Sequence, residues 1–169
     1  MQEAEIPSNE QQRLAYLQNL KILDTPRDDR YDRITRIICR VLDVPAAAIS
    51  LVDENRQWFK SIRGFDITET PRNVAFCAHT ILEKRPLIIP DTHADPRFAN
   101  NPLVLYPPHV RFYAGHPLKI VDNIHVGTLC VYDIRPRELS FDDIEFLQDL
   151  SITVTSELKA SMLKSFFDH

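Results

Sequence analysis

The stretch from Val110 to Asp133 constrains the fold more than any other part of the chain. Two runs rich in apolar, aromatic and β-branched residues, VRFYAGHPLKI and HVGTLCVYD, flank a short Val-Asp-Asn-Ile segment. Because Asp and Asn tolerate tight-turn backbone angles, the pattern predicts a β-hairpin. Both runs are too apolar for edge strands, so we expect them in the centre of an antiparallel sheet.

Two helices are predicted before this hairpin. Ser8 and Gln11 have the spacing of a capping box, which predicts a helix from there to about Leu23. Thr25 and Pro26 suit the N-cap and first position of a second helix. The apolar stripe of that second helix is predicted to consist of Tyr31, Ile34, Ile38 and Val41.

A second hairpin is predicted between the helices and the central strands. The apolar run Ala46–Val52 is broken by Asp-Glu-Asn-Arg and resumes over Gln57–Ile62. Strict alternation would place Trp58 and Ile62 on one face of the return strand and Phe59 on the other. Residues 66–73 are predicted to form a loop.

The middle of the chain is predicted to cover one face of the sheet. Val74–Lys84 reads as a short helix, and the apolar residues between Pro86 and Pro90 read as an edge strand, since proline cannot donate to a ladder. Residues 91–109 form a long polar loop that also carries large apolar side chains. We therefore expect this loop to pack against the sheet.

The last helix has both a start signal and a broad apolar face. Ser140 and Asp143 form a capping-box pair, and Leu139 and Ile144 can form the accompanying hydrophobic contact. We expect the helix to bury one side against the sheet and to offer another side to a partner helix. The expected boundaries are a disordered segment 1–8, a single domain 9–165 and a tail 166–169.

Composition narrows the classes of function. The 169 residues include 44% hydrophobic and 26% charged residues with a net charge of −4, which is typical of one globular domain. No basic stripe favours nucleic acid, and no apolar run approaches the roughly 20 residues that span a membrane. Three well-separated cysteines and a polar, acidic N-terminus fit a cytoplasmic protein.

A series of short motifs in order resembles the GAF domain, in particular the GAF domains at the N-termini of bacterial sensor histidine kinases and diguanylate cyclases. The resemblance covers roughly residues 9–160. It rests on Asn9-Glu10, Leu23-Asp-Thr-Pro26, Leu51-Val-Asp53, Gln57-Trp-Phe-Lys60, Phe76-Cys-Ala-His79, Asp95-Pro-Arg-Phe98, Arg111-Phe-Tyr-Ala-Gly115, Pro117-Leu118 and Gly127-Thr-Leu-Cys130.

The resemblance implies an α+β fold with a central antiparallel sheet of five or six strands. Terminal helices would cover one face, and the helix and loop of residues 66–109 would cover a ligand pocket on the other. It also implies a sensor that binds a small molecule, forms a homodimer through its terminal helices and controls an output domain of the histidine kinase or diguanylate cyclase type. The expected ligand-binding residues are Phe76, Cys77, Thr80, Asp91, Phe98, Arg111, Tyr113 and Cys130.

Several alternatives stay open. Asp91 and Arg111 could orient a polar ligand, or they could only hold the loop in place. The domain could be a dimerisation module without a ligand. The family also includes free methionine sulfoxide reductases, but Cys39 and Cys130 lie outside the loop over the pocket, so we expect no enzyme.

No cofactor is identified by the sequence. Ala78 separates Cys77 from His79, which departs from the bilin-binding pattern of the family. Cys77 and His79 would also face different sides of a helix, so we expect no metal site there.

Overall fold

Six strands form one antiparallel sheet in the computed structural model, which describes residues 1–167. The strands are β1 (Ala46–Val52), β2 (Arg56–Arg63), β3 (Glu69–Pro71), β4 (Leu87–Ile89), β5 (Phe112–Val121) and β6 (Ile124–Asp133). The helices are α1 (Glu10–Asn19), α2 (Asp29–Leu42), α3 (Phe76–Thr80), α4 (Pro102–Leu105) and α5 (Phe141–Phe167). The spatial order of the strands is β3-β2-β1-β6-β5-β4, and every pair is antiparallel.

The central hairpin predicted from the sequence is confirmed. β5 and β6 pair along most of their length, and both are interior strands of the sheet. Asn123 in the connecting turn has a φ of 67°, a left-handed conformation that asparagine tolerates. Gly127 lets β6 approach β1 closely, because a Cβ atom there would lie 1.9 Å from the carbonyl oxygen of Ser50.

Two apolar layers lie on opposite faces of the sheet, as the resemblance implies. On one face, Leu17 of α1, Ile38 of α2 and Val154 of α5 pack on strand residues that include Phe112. On the other face, the segment from α3 to α4 packs on strand residues that include Tyr113. The α+β architecture with terminal helices on one side and a helix-and-loop roof on the other is therefore confirmed.

A β-bulge changes the alternation of side chains in β2. Ile49 pairs with Ser61 and Ser50 pairs with Phe59, so Lys60 is an extra residue. Trp58 packs in the layer of terminal helices, whereas Ile62 packs under the roof. The prediction that these two residues share a face is wrong, because strict alternation holds only where no residue is inserted.

The starts of the first two helices differ from the predictions. The cap of α1 is Asn9, whose side chain makes no capping hydrogen bond, and the helix ends at Asn19. The cap of α2 is Asp28, whose carboxylate accepts from the N–H of Arg30. Thr25 is not the cap, because its hydroxyl donates to Ile22 and accepts a hydrogen bond from Lys60.

The covering segment is less helical than predicted. Instead of one helix over residues 74–84, it contains a 3-10 turn at Arg72–Val74 and the five-residue α3. Strand β3 falls inside a predicted loop. The predicted edge strand is confirmed as β4, but it pairs only with residues 113–115 of β5. The rest of β5, which contains Pro117, is left without a neighbour on that side.

The two ends of the chain differ in structure from the predicted disordered segment and tail. Residues 1–7 contain no helix or strand, but Gln2 bonds Arg97 and His79, which holds the segment expected to be disordered against the domain. The predicted capping box of α5 is present, since Ser140 and Asp143 exchange hydrogen bonds. Helix α5 continues to residue 167, inside the predicted tail, and residues 168 and 169 lie outside the described part.

Helix α5 has 27 residues and carries both buried and exposed apolar side chains. Leu147, Val154 and Leu158 are fully or almost fully buried against the sheet, whereas Ile152 and Leu163 are exposed. Among residues 1–167, no helix is both long enough and apolar enough to cross a membrane.

Candidate functional site

Six of the eight predicted ligand-binding residues come together beneath α3. We call this group the roof cluster, and its members are Phe76, Cys77, Thr80, Phe98, Tyr113 and Cys130, each at most 1% exposed. They reach one place because α3, the loop after β4 and the central hairpin meet on this face of the sheet. Their role in binding a ligand stays a prediction.

Aromatic rings occupy much of the space where the sequence predicts a ligand. The rings of Phe76 and Phe98 stack with centroids 4.7 Å apart, and Tyr113 lies 5.1 Å from Phe76 on a second side. Tyr132 approaches Tyr113 at 5.4 Å. Such arrangements add to the stability that ordinary apolar burial provides.

A small void remains beside the cluster. It has a volume of about 10 Å³ and is lined by side chains that include Phe59, Phe65 and Tyr132. A space of this size corresponds to about one water molecule. The layer under the roof is therefore packed with side chains.

A chain of polar groups runs through this apolar layer. Oγ of Ser50 lies 2.8 Å from Oγ1 of Thr128, which in turn donates to Sγ of Cys77 at 2.8 Å. Sγ of Cys130 lies 3.8 Å from Sγ of Cys77. The hydroxyl of Tyr113 also donates to Cys77, at 3.4 Å. The Cys77 sulfur is thus the common acceptor of several buried donors.

The pKa values of these buried groups are shifted in opposite directions. Burial would raise the pKa of Cys77, but hydrogen bonds from four neighbouring thiol and hydroxyl groups outweigh it and lower the pKa to about 6. Burial raises the pKa of Cys130 and of Tyr113, and the nearby Cys77 raises both further. If one group of the cluster ionises, it is Cys77, and its neighbours stay protonated as donors.

The absence of a side chain at Gly115 leaves space for the Tyr113 hydroxyl. A Cβ atom at Gly115 would lie 2.2 Å from the hydroxyl oxygen of Tyr113 and 3.2 Å from Oγ1 of Thr80. The two hydroxyl oxygens are themselves 2.6 Å apart. A side chain at position 115 would therefore disturb the hydrogen bond between β5 and α3.

Asp91 and Arg111 do not join the roof cluster. Arg111 Nη2 donates to Asp91 Oδ1 at 3.1 Å, and the two side chains are 28% and 37% exposed. The Asp91 carboxylate also accepts from the N–H of His93, at the start of a 3-10 turn. The Arg111 guanidinium lowers the pKa of Asp91. The geometry places this pair where it holds the loop to the start of β5.

Sequence reasoning missed Ser50, Thr128 and Tyr132, whose hydroxyl groups contact the buried thiols and one another under the roof. A signal for two of them exists in β6, since residues 128, 130 and 132 alternate and share a face with the predicted Cys130. Ser50 joins the layer only through the pairing of β1 with β6. Within residues 1–167, no three His, Cys, Asp or Glu side chains are grouped so that they could hold a metal ion.

Comparison with known families and sequences gives a consistent match. The family described as "GAF domain" matches residues 26–158. A cyclic di-GMP phosphodiesterase from Pseudomonas aeruginosa is 36% identical over 163 residues, which are 96% of this chain. The chain spans only 28% of the length of that relative.

Solved structures share the fold at low identity. A GAF domain from a phosphoenolpyruvate-protein phosphotransferase of Coxiella burnetii has a TM-score of 0.69 at 14% identity, over 94% of this chain and 99% of that one. Free methionine-R-sulfoxide reductase from Neisseria meningitidis has a TM-score of 0.64 at 13% identity, over 98% and 99% of the two chains. At such identities the likeness concerns the fold alone.

Proposed function

The chain belongs to the GAF family, and from this membership we propose that it is a regulatory domain that controls an attached output domain through α5. The similar P. aeruginosa protein is a cyclic di-GMP phosphodiesterase, and this chain matches 28% of its length. An output domain that acts in cyclic di-GMP signalling is therefore the first one to test.

The observation that carries the proposal is the position of the central hairpin between the two apolar layers. In β5, Phe112 faces the layer that contains α5 and the next residue, Tyr113, faces the roof cluster. In β6, Leu129 and Cys130 are divided in the same way. A change in the roof cluster thus needs to cross only one layer of backbone to alter the packing of α5.

A small molecule is the signal that the family suggests, and the packed layer limits how it could act. Because the remaining void is about 10 Å³, a ligand would have to displace α3 or the loop that carries Phe98. The displaced state would present hydroxyl and thiol groups from Thr128, Cys77 and Tyr113 to the ligand. The bound ligand would then favour one of two roof positions.

A chimera tests the regulatory role. In the P. aeruginosa phosphodiesterase, the matching segment is replaced by this chain, and phosphodiesterase activity is measured. Thr128→Val removes the hydroxyl that donates to Cys77 and keeps the side-chain shape, so we expect a several-fold change in activity. Tyr106→Phe, at a side chain that is 65% exposed, is the matched control. The proposal would be contradicted if phosphodiesterase activity were the same in four proteins. These are the chimera, its two variants and a phosphodiesterase from which the matching segment has been deleted.

Dimerisation through the terminal helices is a second candidate role. Exposed apolar side chains occur on both helices, at Ile37 and Val41 of α2 and at Ile152 and Leu163 of α5. Burial of such side chains in a helix–helix contact would be favourable. Sedimentation of the 169-residue chain tests this role, since a monomer at high concentration would contradict it and Ile152→Lys should weaken a dimer.

We also propose that the domain has no reductase activity. Cys77 and Cys130 are both fully buried, so neither thiol can meet a substrate unless the roof opens. The test is a turnover assay with free methionine sulfoxide and a thiol reductant, with Cys77→Ser as the control. Turnover that Cys77→Ser abolishes would establish the alternative.

A further inference from the structure

An open groove lies between α5, the end of β5 and the turn before β4. It has a volume of about 570 Å³. Lys84 and Arg85 contribute from the turn before β4, Lys119 from β5 and Lys159 from α5. We call it the basic groove. Its volume is within the range of pockets that hold small molecules.

The charge of the groove contrasts with that of the chain. The chain has a net charge of −4, whereas the residues that line the groove include four cations and no carboxylate. Lys119 lies 3.7 Å from Asp122, whose side chain is 95% exposed and is therefore a weak partner. Within residues 1–167, the other three cations have no carboxylate oxygen within 4.0 Å.

Two histidines add polar groups to the floor. Nε2 of His116 bonds the carbonyl oxygen of Ile144 at 3.2 Å, and Nδ1 of His125 bonds that of Ile81 at 2.9 Å. The second nitrogen of each ring has no partner in the described part of the chain, and neither is among its buried, unsatisfied atoms. Both residues line the groove and are 5% and 9% exposed.

The backbone beside the groove disfavours a peptide strand as the occupant. β4 covers only residues 113–115 of β5, so the following residues form an open edge. Pro117 in that edge has no N–H to donate, and Lys119 follows it. Proline and lysine at an edge oppose the addition of another strand. A compact anion meets no such obstacle.

We propose that the basic groove binds a small molecule that carries two or more phosphate groups. The four cations come from three separate elements around a groove of about 570 Å³, which has room for linked phosphates that bridge β5 and α5. Binding rests on the geometry of the groove. Its consequence for α5 rests on the proposed regulatory function, because the groove includes Ile144 and Thr155 of that helix.

Titration of the 169-residue chain with inorganic tripolyphosphate tests the site. Calorimetry at low ionic strength gives the dissociation constant, and amide chemical shifts show where the anion binds. We expect shifts near His116, Lys119 and Lys159 and an affinity that falls with added NaCl. Inorganic phosphate should bind at least tenfold more weakly than tripolyphosphate. ATP should compete with tripolyphosphate if the natural ligand is a nucleotide.

Charge variants make the test specific. Lys119→Gln with Lys159→Gln should weaken binding of tripolyphosphate about tenfold or more, because two charged contacts are lost. Lys21→Gln with Lys164→Gln removes two exposed lysines elsewhere and should leave the affinity unchanged. Thermal denaturation of both double variants is the control for folding.

Three results would overturn the proposal. The first is no binding of tripolyphosphate or ATP at millimolar concentration, and the second is equal weakening by both pairs of variants. The third is binding only to vesicles of anionic lipid, which would assign the groove to a membrane surface. All of these readouts are independent of an output activity, so they remain informative if the chimera experiment contradicts the regulatory role.

Discussion

The hydroxyl of Tyr113 in β5 lies 2.6 Å from Oγ1 of Thr80 in α3, and this hydrogen bond joins the central hairpin to the roof. The same hydroxyl donates to Sγ of Cys77. All three side chains are fully buried, so water cannot replace a lost partner. The bond therefore couples the position of α3 to the strand beneath it.

Tyr113→Phe should destabilise the domain. The variant keeps the ring but removes a buried donor, which is expected to cost about 1–2 kcal/mol of the free energy of unfolding. Urea denaturation measures the difference, and Tyr106→Phe at an exposed ring is the control. An unchanged midpoint in Tyr113→Phe would show that the bond contributes nothing to stability.

Gly115→Ala should destabilise the domain through the same tyrosine. The added Cβ would lie 2.2 Å from the Tyr113 hydroxyl oxygen, so the ring must move, at a cost of about 1–3 kcal/mol. If this reason is correct, the cost of Gly115→Ala falls sharply in a Tyr113→Ala background. A double-mutant cycle measured by urea denaturation checks it, and additive effects would contradict it.

Glu10 should make stability depend on pH in the acid range. Burial raises the pKa of Glu10, but hydrogen bonds and charges from Arg13 and Arg72 outweigh it and lower the pKa from 4.5 to about 2. The resulting stability is fully present above pH 4.5 and is lost as pH falls towards 2. Because Glu10 is partly exposed and solvent screens its charge, this stability amounts to about 1–2 kcal/mol.

Glu10→Gln tests this dependence. It should cost a few kcal/mol at pH 7, because the guanidinium of Arg13 is only 1% exposed and would lose its counter-charge. The cost should shrink near pH 3, because Glu10 of the unfolded chain is then largely protonated while the native carboxylate, with a pKa of about 2, is still mostly ionised. Urea denaturation at both pH values is the measurement, and Glu145→Gln at an exposed position is the control. The same cost at both pH values would count against the assignment.

Cysteine reactivity should follow burial. Cys77 and Cys130 are fully buried and Cys39 is half-buried, so a thiol-specific reagent should modify Cys39 first in the native protein. Burial also raises the pKa of Cys39, so its reaction should be slow at pH 7. Mass spectrometry locates the modified residue, and denaturant should expose all three thiols. Rapid native modification of Cys77 would mean that the roof opens readily.

Five of the six strands could be predicted because alternation and turn residues are local signals, whereas the short strand β3 and the faces beyond the bulge in β2 could not. The central hairpin is an example, since Asn123 and the flanking β-branched residues encode it within one stretch. The helix starts were harder to predict because several capping residues stand within a few positions. Thr25 and Asp28 both suit a cap, and the contact of Thr25 with Lys60 decides between them.

The candidate site was predictable only as far as local patterns and the family resemblance reach. Phe76, Cys77 and Tyr113 were named from the family resemblance, and all three are buried in the layer under the roof. Strand pairing, which is not local, brings Ser50 to Thr128 and completes the polar layer. Arg111 lies apart from the roof cluster because it precedes β5 and pairs with Asp91, and its role in binding a ligand stays a prediction.

The bulge in β2 determines how the helical layer is attached to the sheet. It turns two consecutive side chains towards α2, where Lys60 contacts Thr25 and Ser61 donates to Asp32. Directional bonds of this kind hold α2 in one register. Helix α5 meets the sheet mainly through aliphatic side chains, whose attraction has no preferred direction. Of the two helices, α2 is thus held by several side-chain hydrogen bonds to β2 and the segment before it, whereas α5 is held by aliphatic packing together with the bond between His116 and the carbonyl oxygen of Ile144.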